Sequence, residues 1–344
     1  MKKRWVLALI LLMLTSLLAA CGAKNDSSGK SDSTGSTNSD SKRAVLVLPE
    51  QIGVNPFFQS MDEGFKRAGE EFNVTVKTIE STDPAGFEQN LRAAVADKYD
   101  LVITATFQAE DALKKVAEEN PDMTFAIIDT VVDLPNVRSV VFREHEAAYL
   151  MGAAAGLSTK TNKVGAIVAL ESSLLSKYTV GFEEGLKSTN PSAEFFVNYV
   201  GSFEDPAKAK ELALVQFSKG ADFIAGMAAV GDFGVFEAAK EKGFYTSGQD
   251  VDRTVNDPEH IVLSQLKGTD TVAYETVKSF AEGKFTFEAV DYGLKEDGVG
   301  VTFITMDSPS VLSPFIGQET VDKVRAIAEE IKAGTLEVKN PLAQ

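Results

Sequence analysis

From residue 44 onward, short runs of apolar and β-branched residues alternate with longer stretches patterned as helices. The runs 44–48, 74–79, 101–105, 124–129 and 139–142 read as strands. After Thr161 the series restarts with 164–170, 194–200, 221–225, 244–249 and 261–266. Helical stretches lie between them at 57–71, 87–96, 110–119, 144–157, 178–188, 206–219 and 232–242. Strand–helix–strand alternation predicts parallel sheets covered by helices on both faces. The polar segment 158–162 divides the series into two halves, so the expected fold class is α/β with two Rossmann-like lobes. Beyond residue 266 the pattern offers a helix at 270–282, strand-like segments at 285–292 and 300–305, and a last helix at 321–332. That surplus fits a chain crossing between lobes more than once, through a multi-strand hinge. The expected N-terminal lobe is 44–158 plus about 268–300, and the C-terminal lobe 159–267 plus about 301–344.

The front of the chain has a different pattern. Lys2, Lys3 and Arg4 precede an almost unbroken apolar run at 5–14, and small residues lead into Cys21. A basic head, a short apolar core and a small-residue exit describe a signal peptide over residues 1–20. The run is shorter than the roughly 20 residues that cross a bilayer. Leu18-Ala19-Ala20-Cys21 resembles a bacterial lipobox, in which the cysteine is lipidated and becomes the mature N-terminus. The alternative is an ordinary cleaved signal with a cysteine nearby by chance. Cys21 is the only cysteine, so with its thiol on lipid no disulfide forms and the fold relies on its core. Bacterial lipoproteins carry at least two acyl chains, enough for a lasting anchor. Residues 21–43 are rich in Ser, Gly, Asn and Asp and read as a flexible tether.

Loss of residues 1–20 leaves 324 of the 344 residues, about two domains. It also removes three positive charges, taking the net charge from −16 to near −19. So acidic a body argues against nucleic acid as a partner and against basic-patch adhesion to anionic lipid.

Catalytic signatures are missing. The two histidines, His145 and His260, lack Cys, His or paired carboxylates at metal-ligand spacing, so no metal is expected. Phosphate-loop, dinucleotide and nucleophile-elbow motifs are absent as well. The chain reads as a binder with no cofactor, not as an enzyme.

In open α/β sheets ligands bind beyond the carboxyl ends of the strands. The first run is followed by a loop carrying Asn55, Phe57, Phe58 and Gln59. Asp129, Glu171, Asp250 and Lys267 close later strands. Each has a plainer alternative. One of the two phenylalanines is expected to pack beneath the loop; for the others the alternatives are Asp129 capping a turn and Asp250 and Lys267 forming a surface ion pair. Their shared place at strand ends in both halves is what indicates a cleft.

Several segments then resemble one family: Glu146-Ala147-Ala148-Tyr149-Leu150-Met151-Gly152, Gly181-Phe182-Glu183-Glu184-Gly185, Gly201-Ser202-Phe203-Glu204-Asp205-Pro206, Gly234-Val235-Phe236-Glu237-Ala238-Ala239-Lys240, Gly248-Gln249-Asp250-Val251-Asp252 and Leu263-Ser264-Gln265-Leu266-Lys267. They look like motifs of the basic-membrane-protein (BMP/PnrA-like) substrate-binding lipoproteins of ABC transporters, in the right order from about Ala44 to the C-terminus. The resemblance implies a type I periplasmic-binding-protein fold, closing over a small ligand that in the family is mostly a purine nucleoside. By position, Phe57 falls on the family's stacking phenylalanine, Asp250 on its sugar-binding aspartate and Lys267 on the lysine that closes the site. Phe233 ends the segment Ala229-Val230-Gly231-Asp232-Phe233, which stands where the family has a Gly-rich turn. The first loop departs further, writing Phe58 where the family has Asn and lacking its Asp. Asn55-Pro56-Phe57-Phe58 also looks like the corresponding loop of ribose-type sugar-binding proteins. The implied function is a monomeric, lipid-anchored, extracytoplasmic binding protein that delivers a nucleoside-like ligand to an ABC permease. A sugar-binding protein of the same fold, or a lipid-anchored sensor without a transporter, are the alternatives.

Overall fold

The computed structural model describes residues 41–343. The signal segment, Cys21 and the tether up to residue 40 lie outside the described residues. The boundary expected at residue 43 is corrected, because Arg43 already opens the first strand, β1 (Arg43–Leu48). Its backbone N–H donates to Asp100 at 2.7 Å, and its guanidinium stacks 4.3 Å from the Tyr99 ring centre.

The first sheet has the order β11-β5-β4-β3-β1-β2, with β2 (Thr75–Glu80), β3 (Leu101–Ala105), β4 (Thr124–Ile128), β5 (Val137–Phe142) and β11 (Val290–Tyr292), all pairs parallel. The second repeats the arrangement as β12-β10-β9-β8-β6-β7, with β6 (Lys163–Val168), β7 (Glu194–Tyr199), β8 (Phe223–Met227), β9 (Tyr245–Asp250), β10 (Ile261–Lys267) and β12 (Val299–Val301). Its short last strand pairs antiparallel with β10.

Alternation along a strand builds the layers. In β1, Val45 and Val47 join Phe87 and Leu91 of α2 (Pro84–Ala96) and Leu113 and Val116 of α3 (Glu110–Glu119). Ala44, Leu46 and Leu48 point to the other face and join Phe58, Met61 and Phe65 of α1 (Pro56–Phe72). Both faces are apolar, as a doubly covered parallel sheet requires. In the second lobe, Ile167 and Ile224 pack with α6 (Pro206–Ser218) and α7 (Asp232–Lys242), while the opposite face meets α5 (Ser173–Thr189).

The first crossing between lobes comes before residue 158, a correction to the expected boundary. Helix α4 (Glu144–Ser158) packs against α5, not against the first sheet. Thirteen of its fifteen residues are buried, so it has no polar face to reveal where it docks. Glycines make the close contact: a methyl group on Gly152 would lie 1.9 Å from the Phe182 carbonyl oxygen, and one on Gly185 1.9 Å from that of Tyr149. The chain returns to the first lobe with α8 (Thr269–Ala281), which lies on α1. It crosses once more between β11 and β12, and α9 (Gly317–Lys332) packs on α4. Three segments thus join the lobes.

Other boundaries shift for local reasons. Helix α5 starts at Ser173, not 178, because the Ser172 hydroxyl caps it by accepting from the Leu175 N–H. The segment 285–292 is strand only at its end, where β11 pairs with β5; Arg138 holds the irregular part through the Thr286 carbonyl and hydroxyl. The segment 300–305 turns after Val301, whose carbonyl takes the N–H groups of Ile304, Thr305 and Met306. Among the described residues no helix is long and apolar enough to cross a membrane.

Candidate functional site

The carboxyl ends of both sheets face one cleft of about 630 Å³, its open mouth included. The first lobe contributes Glu50, Asn55 and Phe57 from the loop after β1, Thr106, Phe107 and Gln108 after β3, and Asp129 after β4. The second contributes Leu174, Leu175 and Tyr178 of α5, Phe203 after β7, Met227 at the end of β8 and Ala229 after it, Gln249 and Asp250 at the end of β9, and Lys267 at the end of β10. Such a mix of apolar walls with a few polar groups suits a small organic ligand.

Local structure aims these side chains. Asn55 caps α1, its side-chain oxygen accepting from the Phe57 N–H at 3.1 Å, and Pro56 supplies the first helical residue. That fixes Phe57 at the cleft wall, 8% exposed, while Phe58 is 1% exposed and meets it edge-on at 5.2 Å. Of the two rings, Phe58 is the more deeply buried, packing beneath the loop while still touching the cleft. Thr106, Asp129, Ala229 and Asp250 all hold positive φ, at 73°, 78°, 53° and 68°. Non-glycine residues adopt that region at a cost, and such strain gathers at functional sites.

Lys267 and Asp129 form a buried ion pair, and the Lys267 ammonium also lies 2.9 Å from Glu144. Asp129 is therefore a cross-lobe partner and not a turn cap, and the alternative surface pair between Asp250 and Lys267 is not formed. Aromatic faces surround the same ammonium, with the ring centres of Phe142 at 4.9 Å, Phe57 at 5.3 Å and Tyr178 at 5.9 Å. Burial pushes the Asp129 carboxyl up to about 6, against the pull of Lys267. Burial likewise raises Asp250, opposed by Lys267 and Arg253. At Glu144 burial is outweighed by Lys267 and Lys177, which together hold the carboxyl below its usual range.

Of the residues singled out from sequence, Asn55, Phe57, Phe58, Asp129, Asp250 and Lys267 line the cleft. Gln59, Glu171 and Phe233 do not. Gln59 is turned to another side of α1 and donates to the Gly53 carbonyl at 2.8 Å. Glu171 is exposed, and Phe233 packs edge-on against Phe236 beneath the Arg253 guanidinium. Phe107, Gln108 and Phe203 were missed although they too follow strands, and the strand-end rule applied evenly would have found them. Tyr178 carried no such signal, since it reaches the cleft from within a helix.

Asp257, Glu259 and His260, just before β10, bring ligand atoms within 4.8 Å of one another. The view that no carboxylates attend His260 is corrected by this cluster, which lies at the opposite end of β10 from the cleft.

A family model described as ABC transporter substrate-binding protein PnrA-like matches residues 41–341. The ABC transporter nucleoside-binding protein BmpA of Lactococcus lactis subsp. cremoris is 31% identical over 87% of this chain and 91% of its own. The CD4+ T-cell-stimulating antigen of Listeria innocua is 29% identical over 98% of this chain and 99% of its own. Among solved structures, an ABC transporter solute-binding protein from Aeropyrum pernix K1 superposes with a TM-score of 0.76 at 26% identity, covering 88% of this chain and 94% of the other.

Proposed function

The chain belongs to the PnrA-like family of ABC transporter substrate-binding proteins, and we propose that it captures a nucleoside between its lobes for delivery to a permease. What carries the reading is the composition of the cleft: aromatic side chains from both lobes, Phe57 and Phe107 opposite Phe203 and Tyr178, beside the carboxylates of Asp129 and Asp250. Flat aromatic faces suit a base, and stacking contributes about 1–3 kcal/mol per base. Carboxylates suit ribose hydroxyls, because charged acceptors make the stronger hydrogen bonds. A sugar alone would leave the apolar walls of Leu175, Met227 and Phe203 without a matching surface.

The ligand donates hydroxyl hydrogens to Asp129 and Asp250 and accepts from Lys267. The Lys267 ammonium donates to Asp129 and lies against Glu144, which leaves it N–H capacity for the cleft. Binding between hinged lobes is expected to close them. Lipid on Cys21 holds the protein at the outer face of the membrane, and the acidic body stays in solution.

The deciding experiment is a thermal-shift panel of inosine, guanosine, adenosine, ribose and other sugars, with mass spectrometry of whatever co-purifies with the mature chain. A ligand that binds only the folded state raises Tm. A rise with nucleosides and none with sugars supports the reading. A rise with sugars alone, or none with any nucleoside at millimolar concentration, overturns it.

A further inference from the structure

Behind the cleft runs a line of four buried charges of alternating sign. Asp129 pairs with Lys267, Lys267 with Glu144, and Glu144 with Lys177. None of these side chains is more than 8% exposed. Asp129 and Lys267 line the cleft, whereas Glu144 and Lys177 do not. The line joins the lobes: Asp129 closes β4 in the first, Lys267 and Lys177 stand in the second, and Glu144 sits at the first crossing. Lys177 adds a second tie, donating to the Phe142 carbonyl at the end of β5 at 2.9 Å. The side chain of Gln265 secures the same crossing through the Glu144 carbonyl at 3.2 Å.

Burying four ions is costly, and cores replace such groups with apolar residues at no loss of stability when nothing else requires them. The four formal charges sum to zero. Removing one leaves an uncompensated charge, whereas removing an adjacent opposite pair does not. Within the line, Glu144 is the one carboxylate besides Asp129 that contacts Lys267, so it determines where the ammonium points.

We infer that Glu144 and Lys177 are positioning residues: they touch no ligand, but they aim Lys267 into the cleft and set how far the lobes close. Its affinity arm rests on the proposed nucleoside reading; its conformational arm does not.

The test is a double-mutant cycle on the mature chain with Glu144→Gln, Lys177→Met and the two combined. Each single variant is expected to bind the best nucleoside of the panel about tenfold or more weakly, a loss of about 1.4 kcal/mol. Charge balance returns in the double variant, which is expected to recover to within about threefold of wild type. Small-angle scattering without ligand supplies the second readout, in which the singles have a larger radius of gyration than wild type and the double reverts. Lys177→Arg guards against a folding failure and is expected to behave as wild type in both. Additive losses, with the double variant as weak as the product of the singles, overturn the inference, as does wild-type affinity in both singles. If wild type binds no nucleoside, the functional reading falls alone: scattering that reverts in the double variant supports the inference, and scattering that does not revert overturns it.

Discussion

Asp129 and Asp250 close the fourth strand of their respective sheets with the same left-handed backbone turn, at φ 78° and 68°. Their surroundings differ. Asp129 is paired with Lys267, while the Asp250 carboxylate has neither an ion-pair nor a hydrogen-bond partner among the described residues. A half-buried carboxylate without a protein partner is costly for the fold unless water or a ligand satisfies it. The two-lobed repeat thus provides one aspartate already paired with a lysine at the cleft and one free for ligand alone. Asp250→Asn is expected to weaken ligand binding about ten- to a hundredfold, the cost of a hydrogen bond to a charged group, with Tm unchanged or slightly higher. Asp129→Ala, unlike protonation, removes the carboxyl group that accepts from Lys267 and is expected to destabilise by about 3–5 kcal/mol. Calorimetry of unfolding and of binding on both variants separates the two; lost stability in Asp250→Asn with affinity retained would show the roles to be reversed.

The adjacent phenylalanines divide in the same way. Phe57→Ala removes a wall of the cleft and is expected to cost affinity by about 1–3 kcal/mol, the value of one stacked base, with a smaller loss of stability than at Phe58. Phe58→Ala empties a site in the core between α1 and β1, 1% exposed, and is expected to cost about 3–5 kcal/mol of stability. Titration calorimetry and chemical denaturation of the pair read the contrast. Equal effects on affinity would mean that Phe57 is only a core residue.

Binding is expected to weaken in acid. The Asp129 carboxyl, raised by burial to about 6 from an ordinary 3.8, takes up its proton more readily in the folded chain than in the unfolded one. Its ionisation therefore opposes the ligand-free fold, and its contribution to stability grows as pH falls through about 6 towards 4. A ligand that donates to the ionised group runs the other way and loses affinity over that window. Asp250, also raised by burial, adds to the trend. One pH unit below the midpoint corresponds to about a tenfold loss. A dissociation constant that stays flat from pH 7 to 5 would exclude both carboxylates as ionised acceptors.

Much of this architecture was legible in the chain because burial on both faces of a parallel sheet leaves continuous apolar strands, such as residues 44–48 and 124–128. The cleft lining was legible where it follows from strand ends, as with Phe57, Asp250 and Lys267. It was illegible where tertiary contacts decide. Glu144 and Lys177 sit near the starts of helices, where charged residues are ordinarily solvated, and only the meeting of three elements buries them. The first crossing was misplaced because α4 is apolar on every side, whereas the polar segment after it looked like a junction.

The contact between α4 and α5 offers a test of the fold that is independent of any ligand. Gly152 and Gly156 on α4 and Gly181 and Gly185 on α5 let the two helix backbones meet, and an added Cβ at any of the four would lie 2.5 Å or less from an atom of the partner helix or its neighbouring crossing. At Gly152 and Gly185 the obstructing atom is a backbone carbonyl oxygen, which has no rotamer to adopt, so the helices must move apart. In a helix interior Gly→Ala ordinarily stabilises by about 1 kcal/mol through propensity. Here overpacking of about 1–3 kcal/mol or more is set against that gain. Gly152→Ala and Gly185→Ala are therefore expected to lower stability, and the double variant to lose less than the sum of the singles, because a helix pair already separated accepts the second methyl more easily. Because α4 starts at Glu144, the displacement would also reach the hinge and reduce ligand affinity. Urea unfolding of the three variants measures the first effect and titration calorimetry the second; stabilisation by either alanine would place the helices farther apart than the close contact at Gly152 and Gly185 requires.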